Sequence, residues 1–378
     1  MMYSPSIPYL LNVFHVGYAP IAYTMTAYLL GYAISMLCMG GVSDQLGRKK
    51  SYLIVTGIFS ISSLLLMTTS SITVFTLLRL LQGLGGGGCA VIARTSVRDT
   101  REGKDLVKGM SYISIAFYAS MGIFQYLGGL IQVYGNYKMD FLFMCLFSLC
   151  VLLSVIFLFE ETHHQNNRSV SLRQFMTDYA NIIREKRLVI LALGGGIGYA
   201  ILLAFNIMGA FYLQKCLHVS PETIGEIGIY CAACYVFGGT LTNYLVKHWE
   251  IDLLIKIGKI ILLIAGIASL ATSMLTTQTI VLIVSPIMVG IIGQAILYPC
   301  AMIRAIEPHR QTAGAASSLF GFTQQLSGFI VTLVIGCLPY QPIAWFGGVI
   351  FSIVCISFLL LKPSLLMEQC ENTRCQTT

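Results

Sequence analysis

Charge is what this sequence has least of. Asp, Glu, Lys and Arg make up 10% of its 378 residues, against roughly 25% in soluble domains. Hydrophobic residues reach 56% and the mean hydropathy is +0.78, which excludes a soluble globular chain. The alternating segments of ~10 residues that a membrane β-barrel needs are also missing; the apolar runs are continuous and longer. The loops hold no catalytic constellation and no clustered metal-ligand spacing. Neither glycine run is followed by the lysine of a nucleotide-binding loop. No cleavable signal pattern stands at the start. The expectation is an all-α polytopic membrane protein that is not an enzyme and uses no cofactor or metal.

At ~20 residues per span the length accommodates about a dozen helices. Apolar windows predict eleven full spans, at 20–39, 51–69, 73–95, 107–133, 139–159, 188–213, 223–246, 253–275, 279–302, 312–337 and 343–361. Residues 1–15 form a stub too short to cross ~30 Å of hydrocarbon as a helix. Of the 12 cysteines, most lie inside apolar runs, and Cys231-x-x-Cys234 has no nearby His or second pair. They read as small hydrophobes.

The formal charge is +7, and 20 of the 23 Lys and Arg residues fall in alternate loops. These include Arg48-Lys49-Lys50, the 94–108 segment, the central linker and the C-terminus. The other side has only Lys138 and Lys215, and Arg79 lies within a span. That asymmetry excludes nucleic acid as the reason for the basic charge and places the basic loops, linker and C-terminus in the cytoplasm.

The longest connection carries Leu172, Phe175, Met176, Tyr179, Ile182 and Ile183 at helical spacing among basic residues, which predicts an interfacial helix. The expected organisation is an N-terminal transmembrane bundle over 1–160, a linker with an amphipathic helix over 161–187, a C-terminal bundle over 188–362 and a tail over 363–378.

Four segments carry motifs. The first is Gly40-x-x-x-Asp44-Gln45-x-Gly47-Arg48-Lys49, a charged turn bracketed by glycines, which tolerate positive φ. Asp44 either meets the positive N-terminus of the helix beginning near Thr312-Ala313-Gly314 and latches the two halves, or belongs to a turn that sets topology. Downstream, Asp99 either pairs with Arg48 or lies in a solvated loop. The second segment is Arg79-x-x-Gln82-Gly83-x-Gly85; an intramembrane Arg is costly and needs a cavity or a partner. Its Gly-x-Gly-x-x-Gly spacing has no preceding strand, so it is helix packing and not a dinucleotide site.

The third segment, Gly122-Ile123-Phe124-Gln125-Tyr126-Leu127-Gly128-Gly129, places Gln125 either towards a cavity or in a helix–helix hydrogen bond. The fourth is Glu226, one turn into its span: a proton-coupling acid, or an ordinary acid at a helix N-terminus. Mid-span Tyr28, Tyr32, Tyr118, Asn206, Tyr235, Gln294, Gln324 and Gln325 are cavity candidates, each of which also fits ordinary packing. As a set they suit a bulky amphiphile better than a multiply charged anion.

The 40–50 turn and the Arg79 segment resemble signature motifs of the major facilitator superfamily (MFS). Met2-Tyr3-Ser4-Pro5, Tyr298-Pro299, Glu307-Pro308 and Ala313-Gly314-Ala315-Ala316-Ser317-Ser318-Leu319 resemble the Bcr/CflA-type drug-resistance group. Three departures stand out: Gln45 where Arg is frequent, Gln125 at the position of the antiporter-motif proline, and Met1 where an Asp precedes Met-Tyr.

The resemblance implies two six-helix bundles related by a pseudo-two-fold axis, with most of the first helix missing here. It further implies a monomer in the bacterial inner membrane, coupled to protons and expelling drugs or amphiphilic metabolites by alternating access. An uptake carrier, a siderophore or metabolite exporter and a non-transporting remnant are the alternatives.

Overall fold

The computed structural model describes residues 2–101, 103–162, 184–307, 313–339 and 343–361. Among these, secondary structure is helical. A turn of 3₁₀ helix at Ser4–Ser6 leads into α1 (Ile7–Phe14), followed by α2 (Tyr18–Leu46), α3 (Arg48–Thr68), α4 (Ile72–Thr100), α5 (Gly103–Tyr134) and α6 (Tyr137–Leu158). After the linker come α7 (Lys186–Cys216), α8 (Pro221–Leu245), α9 (Ile251–Ser273), α10 (Ile280–Ile306), α11 (Ala313–Cys337) and α12 (Ala344–Leu360).

A helix lies over each of the eleven apolar windows. Among the described residues, nine of the expected eleven are long and apolar enough to cross a membrane, and α12, with 17 residues, is shorter. α5 runs for 32 residues with Asp105 in its first turn, and several of its residues lie outside those whose side chains are described. The amphipathic linker stripe and the C-terminal tail lie outside the described residues.

Local chemistry sets the helix ends. Asn136 and Ser220 cap α6 and α8 by accepting from the backbone N–H of Lys138 and Thr223, satisfying donors that have no intrahelical acceptor. Pro221 follows at the first helical position of α8, where no N–H is needed. Gly47, at φ +88°, makes the turn between α2 and α3 in a conformation open to glycine.

α7 is not regular. It loosens at Ile197-Gly198 and passes through a π-turn at Phe205–Gly209 before resuming at Ala210.

Helices α2 to α6 pack together through α2–α4, α3–α4 and α3–α6, and helices α7 to α12 through α9–α10, α9–α12, α7–α11 and α7–α10. The two groups meet along α2–α11 and α5–α8. Close approach along these seams uses missing Cβ atoms. A Cβ on Gly31 would clash with the Leu80 carbonyl, and one on Gly83 with the Tyr28 carbonyl, so α2 and α4 touch backbone to backbone. Gly122 lies 2.5 Å, in the same sense, from the Ala232 Cβ of α8, and Gly129 2.5 Å from the Pro221 carbonyl.

Outward-facing Ile61, Leu77, Leu153, Ile264 and Val281 are exposed, as a lipid-facing shell requires, because lipid is as apolar as these side chains.

The N-terminal segment is bound into the bundle. Tyr3 is fully buried and its hydroxyl lies 2.7 Å from Thr24 Oγ1. Ser4 Oγ donates to the Asn206 carbonyl at 2.5 Å and Ser6 Oγ to Asp140 Oδ2 at 2.6 Å. Gln214 donates to the Pro5 carbonyl at 3.1 Å. These few residues therefore bond to α2, α6 and α7 alike.

Candidate functional site

Two constellations stand out: a charged knot at one end of the bundle and an aromatic cavity within it. The knot is built on the α2–α3 turn. Arg48, 2% exposed, donates from Nε to Asp99 Oδ2 at 2.7 Å and from Nη1 to Asp44 Oδ1 at 2.5 Å. Nη1 also reaches Ser43 Oγ at 2.5 Å, and Ser43 in turn donates to the Gly40 carbonyl at 3.0 Å. A buried guanidinium without such acceptors would cost several kcal/mol.

The carboxylate of Glu161 accepts from the backbone N–H of Arg48 at 2.8 Å and of Lys49 at 3.1 Å. It thus fills the positive N-terminus of α3. Lys49 Nζ reaches the Ile156 carbonyl at 3.0 Å. Asp44 pairs with Arg48, in its own group of helices. Thr312 and the side chains of Ala313 and Gly314, expected to receive Asp44, lie outside the described residues.

The cavity has a volume of ≈ 380 Å³. Its wall comes from α2 to α6, with Tyr199 and Leu203 of α7 and Gln325 of α11 completing it. Tyr28, Tyr32, Phe59, Phe124 and Met144 are representative of an aromatic and methionine-rich lining, a surface that adapts to varied apolar shapes.

Among the described residues, Arg79 is the one charged side chain in the lining. Its Cζ sits 4.5 Å from the Tyr3 ring centroid and 4.4 Å from that of Tyr28, a double cation–π contact. Nη1 donates to Gln82 Oε1, and Nη2 faces Met25 Sδ at 3.9 Å. Gln82 then donates to Ser63 Oγ at 2.7 Å. Gly85 packs against α3, with 2.7 Å from its would-be Cβ to the Val55 carbonyl.

The other expected cavity residues divide. Tyr28, Tyr32 and Gln325 line the cavity. Tyr118, Tyr235, Gln125 and Gln294 gather instead around a hollow of ≈ 30 Å³ on the α5–α8 seam. There Tyr118 and Tyr235 stack with centroids 3.2 Å apart. Gln125 Nε2 reaches the Ile224 carbonyl at 3.5 Å, a contact between helices, while Gln294 donates to the Gly195 carbonyl at 2.8 Å.

Asn206 and Gln324 line neither space. The Asn206 side chain donates to the Leu202 carbonyl at 2.8 Å, within the irregular part of α7. Gln324 packs against Gly196. Gly128 lies under the Met2 carbonyl, leaving no room for a Cβ.

Glu226 is half-buried and makes no hydrogen bond or ion pair among the described residues. Asp140 is fully buried, bound by Ser6, with Oδ1 unpartnered. Sequence reasoning gave no site role to Glu161, Tyr3 or Tyr199.

A polytopic helical membrane protein with an aromatic cavity lined by two groups of helices has the architecture of a transporter. The chain belongs to the Major Facilitator Superfamily, whose family model matches residues 1–332. Among its relatives is the multidrug resistance protein D of Escherichia coli K12, 27% identical, with 89% of this chain and 84% of that protein aligned. A bicyclomycin resistance protein homolog of Haemophilus influenzae is 24% identical over 91% of this chain and 86% of its own length. In fold, the chain is similar to the crystal structure of a D-xylose-proton symporter, with a TM-score of 0.75, 14% identity and 96% and 94% of the two chains covered. The motifs that resemble the drug-resistance group agree with these relatives.

Proposed function

We propose that this protein is a secondary transporter that expels small amphiphilic compounds, drugs among them, in exchange for protons by alternating access. The observation that carries the reading is the cavity. Five helices of the first group wall it, and Tyr199, Leu203 and Gln325 of the second group close it. Relative motion of the two groups about α2–α11 and α5–α8 would open it to one side and then the other. Resistance to multiple drugs and to bicyclomycin, named for two relatives, supports a drug-like substrate.

In this cycle the Asp44–Arg48–Asp99 knot holds one facing state, and its end of the molecule lies in the cytoplasm, where the basic loops belong. An ionisable group buried within the membrane is functional by default. Asp140 is therefore assigned the proton, ahead of the more exposed Glu226. A monomer suffices, since the cavity is formed by one chain.

The test is accumulation of drug-like compounds, an aromatic carboxylate and bicyclomycin among them, in cells expressing the protein, with and without a protonophore. Exclusion that the protonophore abolishes supports the reading; accumulation equal to the empty vector, with the protein shown in the membrane, opposes it. Gln125 in place of a kink-forming proline favours a second reading, uptake on the same scaffold. The direction of flux under an imposed pH gradient separates the two.

A further inference from the structure

We propose that the cavity selects flat, apolar molecules bearing an anionic group, most simply a carboxylate, and that Arg79 receives that group. The inference rests on the transport reading of the same cavity and narrows it to a substrate class.

A guanidinium has five N–H donors and no acceptor. Arg79 is 3% exposed, yet Gln82 Oε1 is the one oxygen it bonds among the described residues. Its Nη2 faces a thioether, and Nε has no acceptor. Aromatic faces at 4.5 and 4.4 Å stabilise the charge but accept none of the remaining donors as an oxygen would. Among the described residues, no Asp, Glu, Lys or His lines the cavity. The buried acid Asp140 is bound through Oδ2 to Ser6, and among the described residues no ion pair joins it to Arg79.

Among the described residues the site thus holds one buried positive charge with spare donors and no counter-ion. A carboxylate would supply both the opposite charge and two acceptors, in the planar geometry a guanidinium matches best. The Tyr28, Tyr32, Phe59 and Phe124 faces would take a ring system attached to it. A lipophilic cation would fill the same apolar volume but bring like charge into an enclosed space of low dielectric. Gln325, whose amide oxygen is also unpaired, adds a polar group for a second substituent.

The experiment is equilibrium binding to the purified full chain in detergent, by calorimetry, of three probes of one shape: naphthoate, naphthamide and naphthylmethylammonium. Naphthoate should bind about tenfold or more tightly than the amide, and the cation most weakly. Arg79→Gln should erase the advantage of the carboxylate, while Arg79→Lys keeps part of it. Equal affinities across the series, tighter binding of the cation, no binding of naphthoate, or a preference that survives Arg79→Gln would each overturn the proposal. If Arg79→Gln does not fold, the wild-type series decides alone.

No proton gradient enters this measurement. A protein that binds naphthoate but transports nothing contradicts the transport reading alone. One that transports neutral compounds with no charge preference in binding contradicts this inference alone.

Discussion

Arg48 and Asp99 are joined at 2.7 Å across the start of α3 and the end of α4. In the second group of helices, Asp252 at the start of α9 and Arg304 at the end of α10 are joined at 2.9 Å. The positions correspond and the charges are exchanged. That relation supports the reading of two bundles built on one plan. A double-mutant cycle of Arg48→Met and Asp99→Asn should give a coupling of ~1–3 kcal/mol in thermal unfolding. Additive effects would show that the knot is not a unit. Asp44→Asn should lower transport severalfold while surface biotinylation or fractionation shows normal insertion.

Glu161 fills the N-terminus of α3 from a distant part of the chain. Glu161→Gln keeps an acceptor but removes the charge that the helix end favours. The expected loss is about 1 kcal/mol, read as a lower melting temperature in detergent. An unchanged temperature would show that the contact is incidental.

Gly83 and Gly57 provide an internal comparison. A Cβ on Gly83 would clash with the Tyr28 carbonyl, whereas one on Gly57 meets nothing within 4 Å. Gly83→Ala should force α2 and α4 apart and cut the yield of folded protein sharply. Gly57→Ala should be neutral or slightly stabilising, since Ala is the better helix former by ~1 kcal/mol. Size-exclusion profiles of the two variants make the comparison.

Asp140 and Glu226 divide on coupling. Asp140→Asn should leave substrate binding intact and abolish its response to the pH gradient. Glu226→Gln should retain gradient-driven flux. The reverse pattern would return the coupling role to Glu226.

The helices were legible because polarity marks where a chain leaves the membrane. The window at 73–95 became Ile72–Thr100, and the window at 343–361 became Ala344–Leu360. α4 overran its window because helical hydrogen bonding continues into the charged ends, past the last apolar residue. The division among cavity candidates was not legible. A helix apolar all round gives no phase from its sequence, so Tyr28 could not be told from Tyr118, nor Gln325 from Gln324. Glu161 was invisible for another reason: it bonds to backbone N–H groups more than a hundred residues away, and no local pattern encodes that. Arg79 was flagged by its cost and by its motif; its two tyrosine faces, one from the N-terminal segment, required the fold.

The central claim is proton-coupled transport through the aromatic cavity. Its most direct test is flux of drug-like probes, naphthoate and bicyclomycin among them, in proteoliposomes holding the purified full chain, under an imposed pH gradient and with a protonophore as control. The account predicts flux that rises with the gradient, stops with the protonophore and falls in Asp140→Asn. Flux indifferent to the gradient, with wild-type protein correctly reconstituted, would contradict it.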